Sequence, residues 1–302
     1  WDYVVKQYIP SLKFKCRGIY FEGIRNLNNH LYLFPRNQKF NKLSTEEGKV
    51  IKETIEKVKE VKKQDNKKMI NSKVNIEELR SKDFMNFGSA QDYKRIGEGD
   101  TGPNTGGMGT VSPAPILDKN LEDKIIDEIV QKTINGLQKD MIDFQGVIFF
   151  GIMVDKFNQP YLLEYNTRFG DPEIQSISMR LKSDFLQLIH ATSTKNLSFA
   201  NLEFYQNKKA ICLILASKGY PENYPKDTHI KNLNEFENSE DFYIFHAATK
   251  TQNNQILANG GRVLSIVSLK ETYAECRDEI FEVAEKIDWE FKYYRKDIGA
   301  NY

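Results

Sequence analysis

Between residues 44 and 73, Val50, Ile51, Ile55, Val58 and Val61 recur at helical spacing among lysines and glutamates, and Ser44 with Glu47 fits a capping box. The pattern predicts one exposed amphipathic helix. Upstream, the aromatic-rich runs GIYFEG and HLYLF predict short strands. Farther along, Leu121, Ile125, Ile129 and Ile134 form an apolar stripe that predicts a helix over 120–140. A strand over 147–154, a turn at Asn158-Gln159-Pro160 and a second strand over 161–165 read as a hairpin, and a helix is expected over 173–193. Residues 195–207 show little periodicity and read as a linker. The last third predicts strands over 210–216, 242–248 and 262–268. A helix follows from Thr272 to about Ile287, with Ala274, Ile280, Phe281 and Ala284 on its buried side. The expected organisation is an N-terminal segment over 1–87, a lobe over 88–205 and a small α+β domain over 206–302.

A length of 302 residues accommodates two domains, and 40% hydrophobic with 28% charged residues is a globular composition. Lysine plus arginine number 43 against 42 acidic residues, so net charge gives no general argument for nucleic acid or an anionic membrane. The Lys-rich run over 57–73 reads as a solvated helix and tether rather than a nucleic-acid patch. Cys16, Cys212 and Cys276 are far apart and make no CxxC pair, which points away from a disulfide framework or zinc site and toward a reducing cytoplasm. The longest apolar run, 146–154, is about half of the ~20 residues a membrane helix needs. No leader is visible, and a chain opening at Trp1 reads as a fragment or processed product.

Two stretches carry candidate chemistry. GEGDTGPNTGGMG, residues 97–109, holds six of the 18 glycines and lets backbone N–H groups approach a ligand closely. Gly97, Gly99 and Gly102 spell G-x-G-x-x-G, but QDYKR before them is not a buried strand, Pro103 follows at once and no βαβ unit surrounds them. The stretch is not a Walker loop either, since it has no Gly-Lys-Ser/Thr. It reads as a long surface turn or a ligand loop, and Lys94 and Arg95 before it favour a phosphate or carboxylate nearby. The second stretch is LLEYNTRFGDPE, residues 162–173. On a strand, Glu164 and Asn166 project from one face and offer the hard oxygens that Mg²⁺ takes, or else form an exposed polar face. Arg168 continues on that face if the strand persists, placed to hold a phosphate or a developing oxyanion. Asp171 and Pro172 read as N-cap and first residue of a helix. His246 in FHAATK reads as a hydrogen-bonded core histidine, and Arg295, Lys296 and Asp297 as a solvated tail or else an anion-binding group. No serine or cysteine stands in a nucleophile's context.

AQDYKR, GDTGPNTGGMG, SPAP, LEYNTRFGDPEIQ, MRLKSD, ASKGYP, FHAATK, NGGRVL and YYRKDIG occur in one order. In that order they resemble the phosphoribosylamine–glycine ligases, with RFGDPEIQ in the form of that family's signature. The resemblance runs from about Ala90 to Gly299. It implies an α+β fold, an ATP-grasp lobe followed by a small C-terminal α+β domain. It implies ATP-dependent joining of glycine to 5-phosphoribosylamine through a glycyl phosphate, in cytoplasmic purine biosynthesis. ATP would be co-substrate, and the partners small molecules, with no nucleic acid and no membrane. By the same resemblance Glu164 and Asn166 are the Mg²⁺ or Mn²⁺ ligands, and Arg168 and Asp171 are catalytic. Lys94, Arg95, Asn104, Thr105, Gly106, Gly107 and Arg295 lie on the substrate side. The departures are LEYNTRF in place of LEFNCRF, and two missing patterns. Neither the GxGGREHA turn of the family's dinucleotide-like domain nor the lysines and acidic hinge of the first ATP-clamp lobe is recognisable in residues 1–87. The chain alone is accordingly expected to be a poor ligase, completed by a lobe from another chain, or else a non-catalytic remnant with weak metal or nucleotide binding.

Overall fold

A computed structural model describes residues 21–27, 30–35 and 84–302. The chain divides into two units, Trp1–Val74 and Asn75–Tyr302. In the first, β1 (Phe21–Leu27) and β2 (His30–Pro35) pair antiparallel, close to the two strands expected there. The helix expected over 44–73, and Cys16, fall outside the described residues.

The second unit is organised on a six-stranded sheet. Its centre is β9 (Lys209–Ser217) beside β14 (Arg262–Lys270), with β11 (Phe242–His246) outside β14. On the other side β9 pairs first with β6 (Gly109–Ser112) and then with β15 (Lys292–Tyr293), and β3 (Gln91–Asp92) lies outside β6. All of these pairs are antiparallel. The apolar run of β9, KAICLILAS, follows from its place. Ile211, Leu213 and Leu215 pack into the larger core with Ile280, Val283 and Ala284 of α5 (Tyr273–Lys286). Cys212, Ile214 and Ala216 pack on the opposite face around Met108 and Val267. A strand covered on both faces cannot alternate apolar with polar, and one buried on both edges needs neighbours on both sides. Those neighbours come from both sides of the expected 205/206 boundary: β6 lies before it, β14 and β15 after it.

Residues 195–207 are likewise tied down. Tyr205 N–H donates to Arg180 O at 2.9 Å and Lys182 N–H to Glu203 O at 2.9 Å. This strand-like bridge splits the helix expected over 173–193 into α3 (Glu173–Met179) and α4 (Phe185–Ser193). Asp184 caps α4, accepting from Gln187 N–H at 2.9 Å, a stop-and-restart signal that an apolar pattern alone hides. The 120–140 helix is α1 (Lys119–Ile125) running through a π-helical turn (Ile126–Val130) into α2 (Gln131–Lys139). The expected hairpin is β7 (Phe149–Val154) with β8 (Pro160–Asn166), turning at Asn158 with φ 60°. Helix α5 begins on a capping box between Thr272 and Glu275. Ala274 faces solvent, and Cys276 takes the buried position expected of it. Among the described residues no helix is long and apolar enough to cross a membrane.

Candidate active site

Strand β8 presents Glu164 and Asn166 on one face, and the Asn166 amide lies 3.3 Å from Glu164 Oε1. A half-turn of that amide, whose oxygen and nitrogen are interchangeable by rotation, sets Oδ1 beside the carboxylate. The face then offers two hard oxygens and is otherwise open, which fits a metal that keeps water or phosphate oxygens in its remaining positions. Among the described residues no cluster of three or more His, Cys, Asp or Glu side chains closes a protein cage. Opposite Glu164 stands Gly151, where a Cβ would come within 2.8 Å of Glu164 Cγ, so the small residue lets the carboxylate lie across the neighbouring strand. The strand ends at Asn166. Arg168 is therefore not on its face by strand continuation, and its guanidinium instead donates back to Phe169 O at 2.8 Å.

The Gly-rich stretch is a hairpin followed by a tight crossing, rather than an open loop. β4 (Arg95–Gly97) pairs with β5 (Thr101–Asn104), and Arg95 donates to Gly102 O at 2.8 Å across it. Asn104 is exposed. Thr105 N–H and Oγ1 both donate to Lys94 O, at 2.7 and 2.8 Å, and Gly107 N–H donates to Thr105 Oγ1 at 2.9 Å. The paired glycines that follow have separate reasons. At Gly106 a Cβ would lie 2.9 Å from Arg262 Cζ. Gly107 has φ +119°, and its Cβ would lie 2.5 Å from Pro172 Cδ and 2.6 Å from Asp92 Oδ1.

These contacts bring 91–107 against the signature turn. Lys94 Nζ pairs with Asp92 Oδ2 at 2.6 Å. Burial works to lower the Lys94 pKa, but Asp92, Glu173 and Glu164 outweigh it and hold it above the usual lysine value. Lys94 thus stands as a cation within the field of the Glu164 face. Asp171 is not the helix cap expected of it: Pro172 occupies that place, and no side chain caps α3. The Asp171 carboxylate instead pairs with Arg262 at 3.0 Å and accepts from Gln175 Nε2 at 2.9 Å. Thr110 pins the same turn to β6, its hydroxyl 3.2 Å from Pro172 O and 2.9 Å from Ser176 Oγ.

Glu173, missed in the sequence, is 5% exposed, and burial, with Asp92 nearby, pushes its pKa up to about 7. A carboxylic acid whose pKa rises on folding favours the folded state most below its unfolded value near 4.5. That contribution is lost as pH climbs through 7. Glu173→Gln removes the penalty of holding a buried charge. Its melting temperature at pH 8 should rise relative to the parent by the equivalent of at most about 3 kcal/mol, with little difference at pH 4.5. Parallel pH–stability curves for the two proteins would show that Glu173 does not titrate in this range.

Arg295 is not part of a solvated tail. It is 1% exposed, with its guanidinium on Asp297 at 2.8 and 2.6 Å, Asp100 at 2.9 Å and Arg95 O at 2.9 Å. Burial alone would lower its pKa, yet Asp297 and Asp100 hold it above the ordinary arginine value. Its visible task is to hold the β4–β5 hairpin to the C-terminal segment, a pairing of residues almost 200 apart that no local pattern reveals. His246 is hydrogen-bonded as expected, to Thr249 Oγ1 at 2.9 Å, but lies exposed at the end of β11 rather than in the core.

The segment bearing this site, residues 48–174, matches the family model described as phosphoribosylglycinamide synthetase, ATP-grasp (A) domain, so the class is ATP-grasp. Residues 210–301 match the C domain of the same synthetase, and the two matches together take in more than half of the chain. The chain belongs to the phosphoribosylglycinamide synthetase family. The first match begins at residue 48, inside the segment set apart on sequence. The chain is 43% identical over 218 residues to a phosphoribosylamine–glycine ligase of Agrobacterium fabrum, covering 72% of this chain and 51% of that protein. A chloroplastic ligase of that name from Arabidopsis thaliana is 41% identical over 214 residues, covering 70% of this chain and 40% of that protein. The crystal structure of a Thermotoga maritima phosphoribosylamine–glycine ligase superposes with TM-score 0.59 at 34% identity, over 69% of this chain and 50% of that one. The chain spans about half the length of the first of these curated relatives and two fifths of the second.

Proposed function

We propose that this chain carries the metal-and-phosphoryl half of a site that joins glycine to 5-phosphoribosylamine at the expense of ATP, a cytoplasmic step of purine biosynthesis. The observation that carries the reading is the shared face of Glu164 and Asn166 on β8, with the Lys94 cation held near it. In this reading Glu164 and Asn166 hold Mg²⁺ or Mn²⁺, which when bound supplies positive charge to the phosphate oxygens of ATP. Lys94 adds a fixed cation where charge shifts in the transition state, and Arg168, exposed just past the strand, swings from Phe169 O toward the transferred group. The γ-phosphoryl group passes to the glycine carboxylate and ADP leaves. The amine of phosphoribosylamine then attacks the acyl carbon, phosphate departs and the nitrogen gives up a proton. No protein nucleophile is needed. Cys212 and Cys276 support that, because both are buried and burial pushes their thiols up.

The test is ADP formation by the full chain with Mg-ATP, glycine and freshly made phosphoribosylamine. The expected result is turnover, however slow, that requires glycine and is lost in Glu164→Ala. Absence of glycine-dependent ADP, or a rate indifferent to Glu164, would favour a non-catalytic binding protein.

A further inference from the structure

One C-terminal residue joins the Gly-rich crossing to the signature turn. Arg262 opens β14, and its guanidinium fork spans two segments that are far apart in sequence. Nη1 donates to Gly106 O at 3.0 Å and to Asp171 O at 2.8 Å, and Nη2 pairs with Asp171 Oδ2 at 3.0 Å. The same residue is held on its other side, since Gly106 N–H donates to the Tyr220 hydroxyl at 2.9 Å. The Tyr220 ring is seated on Gly261, where a Cβ would come within 2.2 Å of it. The Gly260–Gly261 turn is itself fixed to β9, with Ser217 N–H donating to Gly261 O at 2.8 Å and Ser217 Oγ to Gly260 O at 2.9 Å. An unbroken chain of bonds therefore runs from the buried sheet through Arg262 and Tyr220 to the glycine crossing and the signature turn.

We infer that Arg262, assisted by Tyr220, is a positioning residue that sets the spacing between the Gly106 crossing and the Asp171 turn; its bearing on ligation rests on the function proposed above. Three acceptors in two segments need a planar, forked donor, and a lysine ammonium offers one point of charge at the end of a flexible stem. Mounting the fork at the start of a strand whose interior residues are buried gives it the rigidity that a loop lacks. On this account Asp171 acts through Arg262 and Gln175, rather than by touching substrate.

Hydrogen exchange on the full chain tests the clamp without any ligand, so its outcome is separate from that of the ligation assay. Arg262→Ala and Arg262→Lys should each speed exchange in residues 105–108 and 170–175 together, by about tenfold, with β9 and β14 unchanged. Asp171→Asn, made at the turn alone, should also speed exchange in 105–108. Methylguanidinium should restore protection to both segments of Arg262→Ala, and methylammonium should not. If Arg262→Ala does not fold, Asp171→Asn and Tyr220→Phe carry the test. Parent-like exchange at 105–108 in these variants, or a change confined to the mutated segment, overturns the proposal. So does glycine-dependent ADP formation by Arg262→Lys at the parent rate. Absence of ADP formation by the parent would count against the ligase reading alone, leaving the clamp to the exchange result.

Discussion

Gly107→Ala should destabilise the protein by roughly 2–5 kcal/mol in a denaturant titration, the sum of a backbone and a packing effect. Its φ of +119° is one that side chains with a Cβ rarely adopt. The new methyl would also stand 2.5 Å from a proline ring carbon and 2.6 Å from a carboxylate oxygen. Asp92 can swing only by disturbing its 2.6 Å pair with Lys94, and Pro172 is pinned through Thr110. The variant should therefore lose Lys94 placement along with stability. Gly136→Ala is the contrast: that glycine lies in α2 with nothing within 4 Å of a built Cβ, so alanine should stabilise by up to about 1 kcal/mol. A Gly107→Ala protein within 1 kcal/mol of the parent would mean that the crossing is free to rearrange, contrary to the tight packing described.

Arg295→Met should cost about 3 kcal/mol. Breaking a buried ion pair from one side leaves the other charge without compensation, at a typical cost of about 3–5 kcal/mol. The lower end applies because Asp100 has a side chain 69% exposed and rehydrates readily, whereas Asp297 at 29% does not. Methionine keeps much of the arginine stem's volume, so the loss reports the guanidinium, including its place 5.1 Å from the Tyr93 ring centroid, more than a cavity. In a double-mutant cycle with Asp297→Asn, a coupling of about 1 kcal/mol or more is expected. Additive effects would show that the bidentate contact contributes little.

The parts of this molecule legible in the sequence are those whose cause is local. The β7–β8 hairpin announces itself by an apolar run, a turn with Asn158 and a second run, and the Thr272–Glu275 box marks where α5 starts. Glu164 and Asn166 are readable as a pair because strand geometry places i and i+2 on one face wherever the strand goes. The ATP-grasp class and the family follow from ordered motifs. The rest depends on what the chain meets in three dimensions. Nothing around Asp171 signals that its carboxylate faces Arg262, 91 residues away, so capping looked adequate. Arg295 in a polar RKD run resembles a solvated end until Tyr93, Asp100 and Arg95 O are brought to it. Glu173 carries no local signal of burial, and only the packing of α3 against the sheet makes it a buried acid. The NGG of NGGRVL is legible as a family motif, while its physical reason, room for Tyr220 and Ala248, needs the fold.

The central claim is that Glu164 and Asn166 form the metal end of a nucleotide site. It is tested most directly by calorimetric titration of ATP into the full chain, with Mg²⁺ and with the metal chelated. The expected result is binding that requires Mg²⁺ and weakens by about tenfold or more in both Glu164→Ala and Asn166→Ala, with the melting curves of the variants unchanged. Magnesium-independent binding, or parent-like affinity in both variants, would contradict it.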